Sequence, residues 1–257
     1  MRMSDHNVYL YAIGDSALAD SRELAEIYGV DDAPVRAVVE GALTAVVASV
    51  DRKRFSENAI REHMEDLEWL EKLARMHHEV VDRIAQNHSI APVRMATVYL
   101  GDAGVRELLD DRHAELAATL DRVRGRSEWG VKGYATPAND ASEEEPASSS
   151  DAPGTAYLLR RRTQRDRTAR RRQGLVGAAD DAHTQLAEVA AASRRYPLQD
   201  SRLSGRTEPM ILNATYLVDY AAVALFEERV GALSTVDLQL ELTGPWAPYS
   251  FAALVDS

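Results

Sequence analysis

Cysteine is absent from the 257 residues. That excludes disulfides, thiolate catalysis and cysteine metal sites together. No apolar run approaches the roughly 18 residues that a membrane-spanning helix needs. The opening MRMSDHNVYLYAI carries too short an apolar run for a secretory signal. A cytoplasmic location is therefore the expectation. A basic excess is also missing. Lys and Arg total 30 against 41 Asp and Glu, a net charge of −11, and attraction to phosphates needs a basic face. Lysine is confined to Lys53, Lys72 and Lys132, so almost all positive charge is arginine. Aromatics make up only 6% of the chain.

Hydrophobic content of 45% and charged content of 28% are ordinary for a globular chain. Residues 8–13, 35–40 and 43–50 read as strands from their β-branched and aromatic content, with Gly41-Ala42 as a tight hairpin. From Ser56 to His88 the period changes. Ile60, Met64, Leu67, Leu70, Leu73, His77, Val81 and Ile84 recur every three or four residues, which predicts one long amphipathic helix capped by Ser56. Residues 93–100 read as a strand, 102–124 as a helix and 128–136 as a strand. The order predicts an α+β domain over 1–136, with helices on one face of a mainly antiparallel sheet. The strand after Glu128 reads as an edge strand whose Trp129 packs on the core.

Residues 137–154 are rich in Ser, Pro and Glu, the composition of a flexible acidic linker. A second α+β domain is expected over 155–257. It opens with a helical stretch to 195, where Gly174 and Gly177 allow a bend or two shorter helices. Strand 210–219, helix 220–233 and strand 236–244 follow. The chain then runs through LELTGPWAPYSF (240–251). Gly244-Pro245 is expected to end the strand. Trp246, Tyr249 and Phe251 are expected to cover the end of the C-terminal sheet before FAALV forms a last strand. That makes Trp246 and Tyr249 either a structural lock or a contact for a partner.

Motifs for chemistry are sparse. His78-Glu79-x-x-Asp82 imitates a zinc-protease helix with a carboxylate for the second histidine, which would make a metal-dependent hydrolase centred on His78 and Glu79. No distant segment offers an obvious third ligand, and the plainer reading puts His77 in the apolar stripe and the others in water. There is no GxSxG, GxxxxGK[ST] or GxGxxG pattern. No catalytic, metal-binding or cofactor-binding residue is assigned, and no small-molecule substrate is expected. The strongest charge feature is RRRTQRDRTARRR, with Arg160, Arg161, Arg162, Arg165, Arg167, Arg170, Arg171 and Arg172. Such a block can be a solvated helix face, a dock for an acidic protein, or an RNA-binding adaptor surface over 160–172. No aromatics interleave with the arginines, which argues against stacking on bases.

Several segments fall in a familiar order: NVYLYAI, WLEKLARMHHEVV, IAPVRMATVY, EWGVKGY, NATYLVD and LTGPWAPYSF. Together they resemble the gas vesicle protein F/L family across most of the chain. Met95 and Ala96 depart from it, standing where a Phe-Gly pair is expected. The linker and the arginine-rich helix match nothing fixed in the family. The resemblance implies two α+β domains, each with a ferredoxin-like sheet, and added helices on the C-terminal one. It implies an accessory, non-enzymatic protein that binds the hydrophobic shell protein and other accessory proteins during gas vesicle nucleation and assembly. It brings no catalytic residue and no cofactor.

Overall fold

The computed structural model describes residues 6–136, 154–200 and 206–252. Helix and sheet are mixed, and the strands form two antiparallel sheets. The chain clusters into two compact units. One comprises Met1–Glu128 with Gly244–Ser257, and the other Trp129–Thr243. The segment expected as a linker, 137–154, lies outside the described residues except for Gly154, where a helix begins.

In the first unit, β1 (His6–Asp15) is the central strand of a sheet ordered β2 (Val35–Glu40), β3 (Leu43–Asp51), β1, β4 (Ile90–Pro92), with β5 (Val98–Tyr99) also pairing with β1. Alternation explains its near-total burial, since successive side chains point to opposite faces. Tyr9, Val46, Ala48 and Val50 share a cluster with Leu73, Val80, Val81 and Ile84 of α2 (Leu67–Ala85). Val8, Leu10, Ala45 and Val47 point the other way and are equally buried. On that side α3 (Gly101–Asp111) reaches β1, β2 and β3, and α4 (His113–Val123) reaches β1 and β4. Helices thus cover both faces rather than the single face expected.

Several predicted elements are divided. The long helix is two, because Asp66 takes an extended backbone and its carboxylate accepts from the N–H groups of Glu68 and Trp69, capping α2. The preceding α1 (Glu57–His63) is capped by Ser56 as expected. The helix expected at 102–124 is broken at Arg112, between α3 and α4. The predicted strand 93–100 is mostly a turn. Ala96 sits at φ 65°, and Thr97 Oγ1 donates to the Arg94 carbonyl. Strand pairing with β1 is confined to 98–99, beside single backbone hydrogen bonds from Val93 N–H to Tyr11 and from Leu10 N–H to Thr97. Arg94 is therefore an exposed turn residue rather than a charge inside a strand. Three short 3-10 turns between Ser16 and Asp32, which the apolar pattern did not signal, contribute Leu18, Leu24 and Val30 to the core.

The second sheet, most of whose residues belong to the second unit, runs β7 (Ala192–Arg195), β8 (Met210–Asp219), β6 (Arg126–Ala135), β9 (Leu238–Trp246). β6 is an inner strand, not an edge, and its Trp129 is buried. The edge is β9, which explains why Pro245 does not end it. A missing donor is tolerated where no further strand has to pair. The Gly244-Pro245 peptide is cis. Leu238, Leu240 and Leu242 share one face: Leu238 is buried, and Leu240 and Leu242 pack on a core that includes Leu212, Tyr216, Val218 and Phe226. α5 (Gly154–Ala187) is one continuous helix through Gly174 and Gly177, whose Cβ positions face open space. The helix predicted to 195 stops short of that point, since 192–195 are β7. Helix α6 (Val223–Leu233) follows a 3-10 turn at Tyr220–Ala222.

Ala96 occupies backbone space that suits glycine, the residue expected there. A left-handed conformation costs alanine about 1–2 kcal/mol, and glycine's extra unfolded-state freedom returns about 0.5–1 kcal/mol of that. Ala96→Gly should therefore raise unfolding stability by roughly 0.5 kcal/mol in urea titration. A lower midpoint would contradict the assignment.

Candidate functional site

β1 and α2 place two tyrosines and a histidine together inside the first unit. His77 is only 3% exposed. Its Nε2 lies 3.2 Å from the Val93 carbonyl, which can only accept, so Nε2 carries the proton. Nδ1 is then free to accept from the Tyr9 hydroxyl at 3.0 Å, and the Tyr9 oxygen accepts from the Ala96 N–H at 3.0 Å. One chain of hydrogen bonds joins β1, α2 and the 93–97 turn. Tyr11 stacks on the imidazole at 5.5 Å between ring centres and accepts from the Val30 N–H. A Cβ on Gly29 would collide with the Tyr11 hydroxyl, so this approach requires glycine. Burial, offset in part by the Val93 contact, pushes the His77 pKa down to about 4. Burial holds the hydroxyls of Tyr9, Tyr11 and Tyr249 well above the ordinary tyrosine range. Such a set is suited to fixing structure, since none of its members changes charge near pH 7.

The closing stretch packs here, and this corrects the expectation that it covers the end of the C-terminal sheet. Ala247 and Tyr249 join the core of the first unit. The Tyr249 ring lies 6.3 Å from His77 and 6.5 Å from His78. Ser250 donates through its backbone N–H and its hydroxyl to the buried carboxylate of Glu128. The expected last strand does not form over Phe251 and Ala252, and its remaining residues lie outside the described residues. Trp246 is 43% exposed, with its ring 5.6 Å from His78. The two aromatic candidates therefore differ: Tyr249 is largely built in, whereas Trp246 presents an open face.

His78, Glu79 and Asp82 share α2, and the His78 ring lies against Trp246 and Tyr249. Among the described residues no three His, Asp or Glu side chains converge on a point that could hold a metal ion. No helix among them is long and apolar enough to cross a membrane.

The arginine candidates lie on α5. All residues of 161–170 are exposed, while Ala179, Ala182 and Leu186 near the other end are buried. Arg161, Arg162, Arg165 and Arg170 form no ion pair with a described residue. Arg171 is different. It donates to the Thr136 carbonyl at 3.1 Å and to the Asp237 carboxylate at 2.9 Å. The side chains of Arg160 and Arg172 lie outside the described residues. Farther along, His183 Nδ1 meets the Tyr216 hydroxyl at 2.7 Å, tying α5 to β8. Burial lowers the His183 pKa and raises that of Tyr216. Sequence reasoning missed Tyr9, Tyr11, Glu128 and the Arg171–Asp237 pair, because each depends on partners far away in the chain. A tyrosine pair at adjacent odd positions of an otherwise aliphatic strand was the one local signal.

The family model described as gas vesicle synthesis protein GvpL/GvpF matches residues 7–253. The chain belongs to the GvpL/GvpF family. It is 40% identical to gas vesicle protein L of a Streptomyces species, over 98% of this chain and 95% of that one. It is 25% identical to gas vesicle protein L2 of Halobacterium salinarum, over 95% and 90% respectively. The fold resembles the crystal structure of GvpF from an Anabaena species, with a TM-score of 0.66 at 17% identity over 98% of both chains. GvpF from Microcystis aeruginosa gives a TM-score of 0.63 at 17% identity, over 96% of this chain and 99% of that one. Membership supports a role in gas vesicle formation, within an accessory family not known for enzymatic activity.

Two outcomes follow from the aromatic cluster. The folded His77 pKa of about 4 lies below the ordinary 6.5, so the unfolded state takes up the proton first as pH falls. Stability is then full above pH 6.5 and declines by about 3 kcal/mol on reaching pH 4. His77→Gln keeps one donor and one acceptor without titrating, and should flatten that part of the urea-midpoint curve. An unaltered curve would contradict a neutral His77. Separately, Tyr249→Ala should cost about 2 kcal/mol, below the cost for a fully buried aromatic because Tyr249 is only partly buried, while Trp246→Ala should leave the thermal midpoint nearly unchanged. Equal losses would mean that Trp246 too is a structural lock.

Proposed function

We propose that this protein is an accessory protein of gas vesicle assembly that binds the hydrophobic shell protein and other accessory proteins, keeping the shell subunit competent during nucleation. The observation that carries the reading is the exposed arginine face of α5. Arg161, Arg162, Arg165 and Arg170 make no ion pair with a described residue, in a chain of net charge −11. Exposed guanidiniums on an acidic protein favour an acidic protein partner, with on-rates raised by charge complementarity. The remaining negative charge would keep a complex with an aggregation-prone subunit dispersed. Trp246 offers a second contact, since a half-open indole gains from being covered.

The same reading places the protein in the cytoplasm, at the growing vesicle, and treats 137–154 as a connection from β6 to α5, inside the second of the two units. The strand order β2-β3-β1-β4 supports a ferredoxin-like sheet in the first of them. No cofactor or small-molecule substrate enters the proposal. Co-expression with the shell protein is the test. The soluble fraction of the shell protein should rise with this chain and fall back when these four arginines are replaced by glutamate. A soluble fraction unaffected by the chain would remove the proposal.

A further inference from the structure

The second unit contains a cleft of about 860 Å³ between α5 and the strand pair β7–β8. Its apolar lining comes from Leu175 and Val176 of α5, Pro197 and Leu198 just after β7, and Met210 and Ile211 at the start of β8. Val176 and Leu198 are 46% and 54% exposed. Apolar side chains left open at the lip of a concave apolar surface gain about 25 cal/mol for each Å² that a partner covers. At the far wall, the guanidinium of Arg171 is held by Thr136 and Asp237, so this part of the cleft is fixed in place before anything binds.

Helical geometry extends the cleft. With about 100° per residue, Thr168 and Arg171 lie within about 40° of Leu175 around the axis of α5, and Arg161 and Arg165 within about 80°. Those two arginines therefore lie on the arc of α5 that faces the cleft, further toward its N-terminus. Both are exposed and neither pairs with a described residue. An apolar trough thus runs on to two arginines that pair with no described residue, the whole spanning about 21 Å of helix.

We propose that this trough and arginine row form one docking groove for an amphipathic helix of another protein. That helix carries an apolar stripe over about two turns and acidic side chains over the next two. A helix laid beside α5 would fill the trough with side chains at i, i+3, i+4 and i+7 and bring its carboxylates to Arg161 and Arg165. The inference deepens the accessory-protein reading and rests on it only for where the partner comes from.

The test is fluorescence anisotropy on the full chain. The probe is a labelled helical peptide of about 20 residues, with leucines at those spacings followed by three glutamates. Its control has glutamines in place of the glutamates. Leu198→Asp and the double variant Arg161→Glu, Arg165→Glu alter exposed side chains, and circular dichroism checks that both remain folded. The glutamate peptide should bind more tightly than its control at low salt. Each variant should weaken it about tenfold or more, and the double variant should abolish both the difference between peptides and the salt dependence. Equal binding of the two peptides would leave a purely apolar pocket and overturn the proposal. Unchanged binding in either variant would overturn it as well, as would self-association of the chain that Leu198→Asp abolishes. Gas vesicle formation is scored in the same variants beside deletion of the whole chain. If deletion stops vesicles but both variants form them, the groove has no part in assembly and the accessory reading stands. Vesicles that form without the chain would defeat the accessory reading, whatever the peptides do.

Discussion

A neutral imidazole inside the N-terminal unit is the constraint on which much else depends. Leaving a histidine buried is costly unless both ring nitrogens are satisfied. Here the Val93 carbonyl and the Tyr9 hydroxyl satisfy them. The same tyrosine oxygen takes the N–H of Ala96, so one ring holds the central strand, the principal helix and the turn after β4 in register. Apolar packing from α2 supplies the larger energy, at about 1.5–3 kcal/mol for each fully buried side chain. The hydrogen bonds fix which packing is adopted, because shifting α2 by one residue would orphan polar groups at three places.

The closing stretch extends that arrangement. Its Tyr249 lies beside the same imidazole, and Ser250 satisfies the buried Glu128 carboxylate. A segment far away in sequence thus completes the core built from β1 and α2. Trp246 remains half open beside His78, so the structural and exposed halves of the stretch sit three residues apart. In the second unit the division of labour runs along a single helix. The part of α5 around Ala179 to Leu186 is packed and anchored by His183 on Tyr216. Residues 161–170 carry their charge into solvent.

Much of this was legible in the sequence. Period-2 and period-3.6 patterns gave β1, β2, β3, β6, β8 and β9, along with the helices that bury their apolar stripes. Ser56 was readable as a cap because hydroxyl capping is a local event. What failed was equally physical. Asp66 splits a helix whose apolar repeat continues past it, because a capping carboxylate outweighs periodicity over one turn. Pro245 continues a strand because that strand is an edge, and sheet order cannot be read from a local pattern. The destination of Tyr249 and the pairing of Glu128 with Ser250 depend on contacts across more than a hundred residues. The arginine run was visible at once, but which of its members find partners was not. Arg171 is held by Asp237, while Arg161 and Arg165 pair with no described residue.

The account's central claim is that partners engage the second unit through α5 and leave the histidine core of the first unit as scaffold. Amide hydrogen exchange of the full chain, alone and with purified shell and accessory proteins of the same gas vesicles, measures this directly. The account predicts new protection over 161–176 and 195–198, with the amides of β1 and α2 unchanged. Protection confined to β1 and α2, or none at α5, would contradict it.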